Sequence, residues 1–195
     1  MNHLAHFLLA PHTSAGVIGT LLADFHRGSV TGTLPADVAD AVRLHRRIDS
    51  ATDAHPAVRD VRCEFDASQR RFAGLALDLY FDHCLARDWA LHSDTGLDAF
   101  VDDVHADLQR GLEADYVPER MRTFAQAMRD GGWLRSYATF DGVERALGRL
   151  NNAFRRRFAR EVELRPLATE LRRLAPQCDA AFSAVFADLR ALARR

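Results

Sequence analysis

The sequence predicts an all-α protein that forms a single helical domain over residues 1–195. Apolar residues recur at helical spacing along the chain, whereas the period-two alternation typical of strands is nowhere sustained. Composition agrees with this, because Ala, Leu, Arg and Glu dominate the segments after Pro118 and favour helices. A chain of this length without internal repeats suits one hydrophobic core.

Prolines and glycines indicate the helix boundaries in the first half of the chain. Pro11 ends the first helix, and Pro35 and Pro56 begin the third and the fourth. A loop that starts at Arg27 ends the second helix. The first four predicted helices are therefore residues 1–10, 17–26, 35–53 and 56–72.

A long apolar stretch from Leu75 to Trp89 predicts the helix around which the others pack. Its apolar side chains cover both faces, which is typical of a helix in the middle of a fold. Thr95 and Gly96 separate this helix from an amphipathic one at 97–112. The remaining predicted helices are residues 119–130, 140–150, 152–173 and 177–193.

The composition argues against several classes of function. Apolar residues make up 48% of the chain and charged residues 27%, as in soluble globular proteins, and no apolar run is long enough to span a membrane. Aromatic residues are spaced as in a core, without the interleaved basic residues of a nucleic-acid surface. Three cysteines without a CxxC motif, and the lack of a signal-peptide pattern, predict a reduced, cytoplasmic protein.

Polar residues occupy positions at which a core helix should carry leucine or valine. In the central helix, Asp78 and Asp82 project from an apolar face, with His83 beside them. In the helix at 35–53, a histidine and an aspartate fall in the apolar stripe at spacing i, i+4. The complete set of such residues is His6, Asp24, His45, Asp49, Asp78, Asp82 and His83.

This set predicts a metal site. A buried carboxylate costs several kcal/mol of desolvation unless a partner compensates it, and one shared cation would compensate several carboxylates at once. Carboxylate oxygens and imidazole nitrogens suit Mn²⁺, Fe²⁺ or Mg²⁺, whereas the lack of a cysteine cluster argues against structural zinc. The alternative is that each residue is paired separately, for which Arg46, Arg47 and Arg87 are available.

Other motifs give weaker signals. The chain has no lysine, so no P-loop is complete, and its serines lack a histidine at a recognisable hydrolase spacing. His3 and His6 form an i, i+3 pair, but fraying is the expectation for an N-terminal segment. The arginine run at 155–157 is more typical of a solvated helix face than of a binding surface.

Four motifs in register connect the chain with a known family. They are Met1 to His6, Leu21 to Phe25 followed by Arg27-Gly28, His45 to Asp49 followed by Thr52-Asp53, and Leu77-Asp78 to Asp82-His83 followed by Leu85 and Trp89. In order and spacing these motifs resemble the acyl carrier protein phosphodiesterase family, also called acyl carrier protein hydrolase. The resemblance is close over residues 1–90, and beyond them it rests mainly on length and helical character.

The resemblance implies a divergent, all-α, HD-domain-like branch of the HD-type phosphohydrolases that uses manganese. It also implies an activity, namely removal of the 4′-phosphopantetheine group from holo-acyl carrier protein to give the apo protein. The usual HD pattern contains an adjacent His-Asp pair. Here His45 and Asp49 are four residues apart, and the one adjacent pair is the reversed Asp82-His83.

These considerations lead to an expected site. The expected metal ligands are Asp24, His45, Asp78 and Asp82, with Mn²⁺ as the ion and Mg²⁺ or Fe²⁺ as alternatives. The expected catalytic residues are His6, Arg27, Arg46, Asp49 and His83. Among these, the histidines and the aspartate would orient ligands or carry protons, and the arginines, with Arg47 as an alternative, would hold the phosphate.

The expected partner is acyl carrier protein, whose acidic surface would dock on exposed arginines of the third helix and of 155–157. Two other functions fit the same residues. One is an HD-type hydrolase that acts on a nucleotide or another small phosphodiester. The other is a non-enzymatic helical binding module whose buried acids and histidines are paired with arginines. The number of ions, the acceptance of acylated carrier protein and the oligomeric state stay open.

Overall fold

The computed structural model describes residues 1–158 and 163–194, except the side chains of residues 156–158. This part of the chain consists of α-helices, two short 3₁₀ turns and loops, and it contains no strand, so the all-α prediction is confirmed. The helices are α1 (His3–Leu9), α2 (Ser14–Leu22), α3 (Ala36–Ala54), α4 (Pro56–Glu64), α5 (Ala73–Arg87), α6 (Leu97–Gly111), α7 (Glu119–Asp130), α8 (Trp133–Ser136), α9 (Phe140–Phe158), α10 (Pro166–Arg173) and α11 (Ala175–Ala193).

Helix α5 runs through the middle of the fold, as its apolar sequence predicts. It packs against α1, α9, α10 and α11, and its side chains are buried on several faces. Phe81 and Leu85 have no exposed surface, and neither has Asp82, which lies next to Phe81 in the sequence. A carboxylate in this position requires hydrogen-bond donors from the protein, because water does not reach it.

The buried side chain of Asp82 caps helix α1. Its Oδ2 accepts a hydrogen bond from the backbone N–H of Leu4 at 2.8 Å, and its Oδ1 accepts one from Ala5 at 3.1 Å. Asn2, which precedes the helix, makes no such bond with its own side chain. Desolvation raises the pKa of Asp82 to about 7 in spite of the two hydrogen bonds. A side chain of α5 therefore fixes the start of α1, and with it the position of His6.

Helix α2 lies against α3 and α6, and this packing brings Asp24 close to α3. At Gly19 an added Cβ atom would lie 2.5 Å from the carbonyl oxygen of Val38, closer than real Cβ contacts. Glycine at this position therefore allows the two helices to approach each other. The chain leaves α2 after Leu22, so Asp24 falls in the following turn.

Several predicted helix boundaries were wrong. Helix α2 ends at Leu22 instead of residue 26, and side-chain hydrogen bonds explain two further differences. The hydroxyl of Thr13 accepts a hydrogen bond from an N–H in the first turn of α2, which starts that helix at Ser14 instead of residue 17. Helix α4 ends at Glu64 instead of residue 72. There the carboxylate of Asp66 accepts hydrogen bonds from the backbone N–H and the hydroxyl of Ser68, which favours a turn over a helix.

The segment that includes α9 and α10 is also divided differently from the prediction. Helix α9 continues through residue 151, where a joint between two helices was predicted. A separate helix begins at Pro166, whose ring is suited to a first turn and not to a helix interior. The side chain of Asn151 accepts a hydrogen bond from the N–H of Leu164 at 3.0 Å and so holds the returning chain on α9. The predicted helix 152–173 lies partly outside the described residues.

The buried apolar side chains form one connected cluster that extends from Met1 to Leu189. Helix α11, at the C-terminal end of the chain, packs against α3, α4 and α5 and so belongs to the same cluster as the first half of the chain. None of the described helices combines the length and the hydropathy that crossing a membrane would require.

We expect Asp82→Ala to lower the free energy of unfolding by about 2–4 kcal/mol, because it leaves two buried N–H groups of α1 without an acceptor. Urea denaturation followed by circular dichroism measures this change. Asp94→Ala is the matched control, since Asp94 is exposed and lies beyond the end of α5. A loss below about 0.5 kcal/mol in Asp82→Ala, the range of ordinary surface substitutions, would contradict the capping role.

Candidate metal centre and substrate cleft

An open cleft of about 580 Å³ is lined by residues of α1, α3, α4 and α5. Ligand sites of enzymes commonly have this size. Histidines, acidic residues and arginines line this cleft. The titratable residues among its lining are His3, His6, Asp24, His45, Asp49, Asp53, Arg62, Arg71 and Asp78. Side chains that the sequence places far apart thus meet in one cavity.

Two stacked histidines and one aspartate form a close cluster in this cleft. The rings of His6 on α1 and His45 on α3 are nearly parallel, with their centroids 3.7 Å apart and an interplanar angle of 6°. The Nε2 atom of His6 lies 2.9 Å from Asp49 Oδ1, and Nε2 of His45 lies 3.2 Å from Asp49 Oδ2. The contact within α3 follows from the i, i+4 spacing, whereas the contact with His6 depends on how α1 docks.

The electrostatics of the cluster favour a neutral His6 and an ionised Asp49. His6 is 2% exposed, and desolvation lowers its pKa to about 3. Burial also opposes ionisation of Asp49, but hydrogen bonds from His45 and His6 outweigh it and hold the pKa of Asp49 well below its usual value. Neutral imidazole and ionised carboxylate are the forms that bind a divalent metal ion.

The cluster has the dimensions of a metal centre. One ligand atom from each of His6, His45 and Asp49 lies within 4.8 Å of the other two. Ligand atoms bound to one ion at about 2.0–2.2 Å are at most about 4.4 Å apart, which is close to this limit. In the described part of the chain, the buried Nδ1 atoms of His6 and His45 have no hydrogen-bond partner, so neither ring is fully engaged by the protein.

A second carboxylate, that of Asp24, adjoins the cluster from the turn after α2. Its Oδ1 lies 3.6 Å from His45 Nε2, and its Oδ2 lies 3.6 Å from His3 Nδ1. Desolvation lowers the pKa of His3, although Asp24 acts in the opposite direction. With 41% of its side chain exposed, Asp24 is accessible from the cleft and connects His45 with a further neutral histidine.

Asp78 reaches the same cleft from α5 but contacts a different cation. Its Oδ1 lies 2.7 Å from the α-ammonium group of Met1, which is also 3.9 Å from Asp49 Oδ1. Burial would lower the pKa of this ammonium group, but the two carboxylates outweigh it and raise the pKa. Asp78 is therefore close to Asp49 and is neutralised by the ammonium group.

The structure places two of the expected site residues, Asp82 and His83, outside the lining of the cleft. Both oxygens of Asp82 are bound by α1, as described above. Nδ1 of His83 donates a hydrogen bond to the carbonyl oxygen of Tyr137 at 2.8 Å, and burial lowers the pKa of this histidine. Both residues therefore hold α5 against its neighbours in this structure, and the roles in metal binding and proton transfer expected for them stay predictions.

Arg27 and Arg46, the expected phosphate-binding residues, are also absent from the cleft lining. The guanidinium group of Arg46 donates hydrogen bonds to the carbonyl oxygens of Gly28 at 2.8 Å and His26 at 2.7 Å. It thereby stabilises the loop after α2. Arg27 is exposed in that same loop.

Four titratable residues that line the cleft were not expected there, and they are His3, Asp53, Arg62 and Arg71. The pairing of His3 with His6 at i, i+3 is visible in the sequence, but helix fraying was the stronger expectation. Arg62 belongs to the polar face of α4, where it lies 3.2 Å from Asp53, and a sequence pattern does not show that such a face borders a cleft. Arg71 follows α4 in a 3₁₀ turn that interrupts the predicted helix.

Fold and cleft together define an all-helical protein with a cluster of two histidines and a carboxylate of the kind that binds divalent ions. The family model described as acyl carrier protein phosphodiesterase matches residues 1–189. The chain belongs to the acyl carrier protein phosphodiesterase family. The resemblance predicted from the four sequence motifs is thereby confirmed.

Curated relatives carry the same name, acyl carrier protein phosphodiesterase. The relative from Pectobacterium atrosepticum is 35% identical over 152 residues, which cover 77% of this chain and 78% of the relative. The one from Photorhabdus laumondii is 37% identical over 71% of this chain and 69% of its own length, and the one from Salmonella agona is 37% identical over 78% of both. No solved structure matches significantly, so the relation to HD-type phosphohydrolases stays a prediction.

We expect Mn²⁺ to stabilise the protein through the cluster, by about 2.7 kcal/mol at about 100 times its dissociation constant. His45→Ala should lose most of this stabilisation, because it removes one of three ligands. The measurement is the midpoint of thermal unfolding after treatment with a chelator, with and without added Mn²⁺. His92→Ala is the matched control, since His92 packs on Phe182 and Phe186 away from the cleft. Equal stabilisation of wild type and His45→Ala would contradict the assignment.

Proposed function

We propose that this chain hydrolyses the phosphodiester bond of holo-acyl carrier protein in a metal-dependent reaction, releasing 4′-phosphopantetheine and apo-acyl carrier protein. The observation that carries the proposal is the cluster of His6, His45 and Asp49 in an open cleft, in a chain that belongs to the acyl carrier protein phosphodiesterase family. In the reaction, water adds to phosphorus, and the bond between phosphorus and the serine oxygen of the carrier breaks.

We assign the metal ion, Mn²⁺ by preference, to His6, His45 and Asp49, with Asp24 adjoining them. This differs from the expected ligand set, because His6 and Asp49 replace Asp78 and Asp82. When bound, such an ion supplies a coordinated water of lowered pKa and polarises a phosphoryl oxygen. The support for this assignment is the donor set itself, two imidazoles and a carboxylate that share one small volume.

A proton must reach the serine oxygen that leaves phosphorus. His3 is suited to handle this proton, because it lines the cleft and its Nδ1 faces the carboxylate of Asp24 at 3.6 Å. Because desolvation lowers the pKa of His3, the neutral imidazole would first accept the proton that the attacking water releases and then pass it to the serine oxygen. The carboxylate would orient the imidazole and stabilise this transient protonated form. His3 thus takes the role that the sequence suggested for His83 or His6.

The negative charge of the phosphodiester requires cationic groups, which the cleft supplies through Arg62 and Arg71. Guanidinium groups bind phosphate oxygens through paired hydrogen bonds. The pairing of Arg62 with Asp53 at 3.2 Å holds the arginine in the cleft without burying it, since its side chain is 38% exposed. These two arginines replace Arg27 and Arg46 in the proposed site.

A non-enzymatic module with separately paired acids has no support in the described contacts. Among the described residues, no ion pair joins an arginine to Asp24, Asp49 or Asp78, which instead contact histidines or the α-ammonium group. Carboxylates and histidines left with each other in this way favour a shared cation.

We expect incubation of wild-type protein with Mn²⁺ and holo-acyl carrier protein to lower the carrier's intact mass by one phosphopantetheine group. Asp49→Ala should reduce the rate at least about 100-fold, because it removes the carboxylate to which both histidines point. Asp94→Ala should keep the wild-type rate. Cleavage of a small phosphodiester without cleavage of the holo carrier would favour the alternative hydrolase function, and full activity of Asp49→Ala would contradict the proposed centre.

We expect Arg62→Ala and Arg71→Ala each to raise KM for holo-acyl carrier protein about tenfold or more, because each removes a charged hydrogen-bond donor to the substrate. Steady-state kinetics at low and high salt measure this. The wild-type KM should also rise with salt if the acidic carrier is attracted by these charges. Arg59→Ala is the control, since Arg59 is exposed on α4 and does not line the cleft. An unchanged KM in both variants would remove the arginines from the site.

A further inference from the structure

A second cavity of about 500 Å³ opens beside the cleft, and we call it the side pocket. It is lined by parts of α7, α8 and α9, including Trp133, Tyr137 and Arg149. Both cavities share part of their wall, formed by Asn2, His3, Leu79, Phe124 and Leu150. The two cavities therefore adjoin each other along this wall.

A continuous row of aromatic rings leads from the cleft into the side pocket. Phe25, in the cleft, lies 5.5 Å from Phe124, and Phe124 lies 5.3 Å from Trp133, both measured between ring centroids. Both contacts have the edge-on geometry that aromatic pairs prefer. The row gives the two cavities a common apolar wall.

Arg149 lies at the end of this row, over the ring of Trp133. Its guanidinium carbon is 4.4 Å from the centroid of the Trp133 ring, and among the described residues it takes part in no ion pair. Burial lowers the pKa of Arg149, in contrast to Arg135, which is paired with Asp98 and Asp102. Apart from the hydrogen bond with the Tyr137 hydroxyl, Arg149 makes no hydrogen bond among the described residues, so its remaining N–H groups can bind acceptor oxygens of a ligand.

Further polar groups stand near this arginine. The side-chain amide of Asn2 donates a hydrogen bond to the hydroxyl of Tyr137 at 2.7 Å, and that hydroxyl interacts with Arg149. The side pocket thus combines an apolar wall with an amide, a phenol and a guanidinium group. A purely aliphatic chain would contact the apolar wall but offer no acceptor to the guanidinium group, whereas a chain of methylene groups interrupted by amides would engage both kinds of surface.

We propose that the side pocket binds the pantetheine part of the substrate. Arg149 and Asn2 would bind the carbonyl oxygens of its amides, and Phe124 and Trp133 would pack against its methyl and methylene groups. This inference rests on the proposed function, because the phosphate of the same molecule would lie in the cleft. It makes Arg149 a specificity-determining residue that distinguishes pantetheine diesters from other phosphodiesters.

The test compares the dissociation constants of 4′-phosphopantetheine and inorganic phosphate on the Mn²⁺-loaded protein, measured by calorimetry. Wild type should bind 4′-phosphopantetheine about tenfold or more tightly than phosphate, because the pantetheine part adds contacts. Arg149→Gln should reduce this ratio about tenfold. Arg145→Gln is the matched control, since Arg145 lies one turn earlier on α9, is exposed and lines neither cavity. It should keep the wild-type ratio.

A second variant tests the pocket without removing a charge. Ala127 is exposed on α7 and lines the side pocket, so Ala127→Trp should fill the pocket while leaving the core intact, and it should also reduce the ratio. A wild-type ratio near one, or a wild-type ratio in both variants, would overturn the inference. Cleavage of holo-acyl carrier protein, measured by the intact mass of the carrier, is a separate readout that does not depend on this ratio of dissociation constants. Cleavage with an unaffected ratio would refute the side pocket alone, whereas the absence of cleavage would refute the proposed function.

Discussion

The structure depends on the contact between the Asp82 carboxylate of α5 and the first N–H groups of α1. A helix as short as α1 is not stable by itself, and the N–H groups of its buried first turn need an acceptor. Asp82 supplies that acceptor from the central helix α5, so the orientation of α1 is set by the core. This orientation places the ring of His6 on that of His45. The geometry of the cluster of His6, His45 and Asp49 therefore depends on the packing of α5.

The cluster itself is costly to the apo fold. Two buried imidazole nitrogens lack partners in the described part of the chain, and the ionised Asp49 is partly desolvated. Such groups lower the stability of a protein unless a ligand compensates them. A bound cation would give these groups partners and so stabilise the native state, because stabilisation by a ligand grows with its affinity for that state. The unpartnered imidazole nitrogens thus favour a role of the cluster in binding an ion. Such a role would explain why these positions do not carry leucine.

Local patterns predicted the parts of the structure that depend on one helix. The all-round apolar pattern identified α5, and the i, i+4 spacing predicted that His45 and Asp49 act together. The hydrogen bonds of Asp82 and Arg46 with backbone groups were not predicted, because a carboxylate or guanidinium has the same sequence signature whether it binds a ligand or a backbone group. The stacking of His6 on His45 depends on the docking of two helices, and no pattern within either helix contains that information.

The distribution of charge in the two cavities explains how one substrate could be oriented. Acids and histidines lie together around Asp49 in the cleft. The same cleft is lined by Arg62 and Arg71, whereas Arg149 lies in the side pocket. A phosphodiester brought to the acids alone would be repelled, and one held by arginines alone would have no group to activate water. The cleft contains both acids and arginines, and the side pocket adjoins it. Together they would hold the phosphate group in one orientation. Because His3 lines both cavities, binding of the pantetheine part would also position the phosphate beside the histidine proposed to protonate the leaving serine.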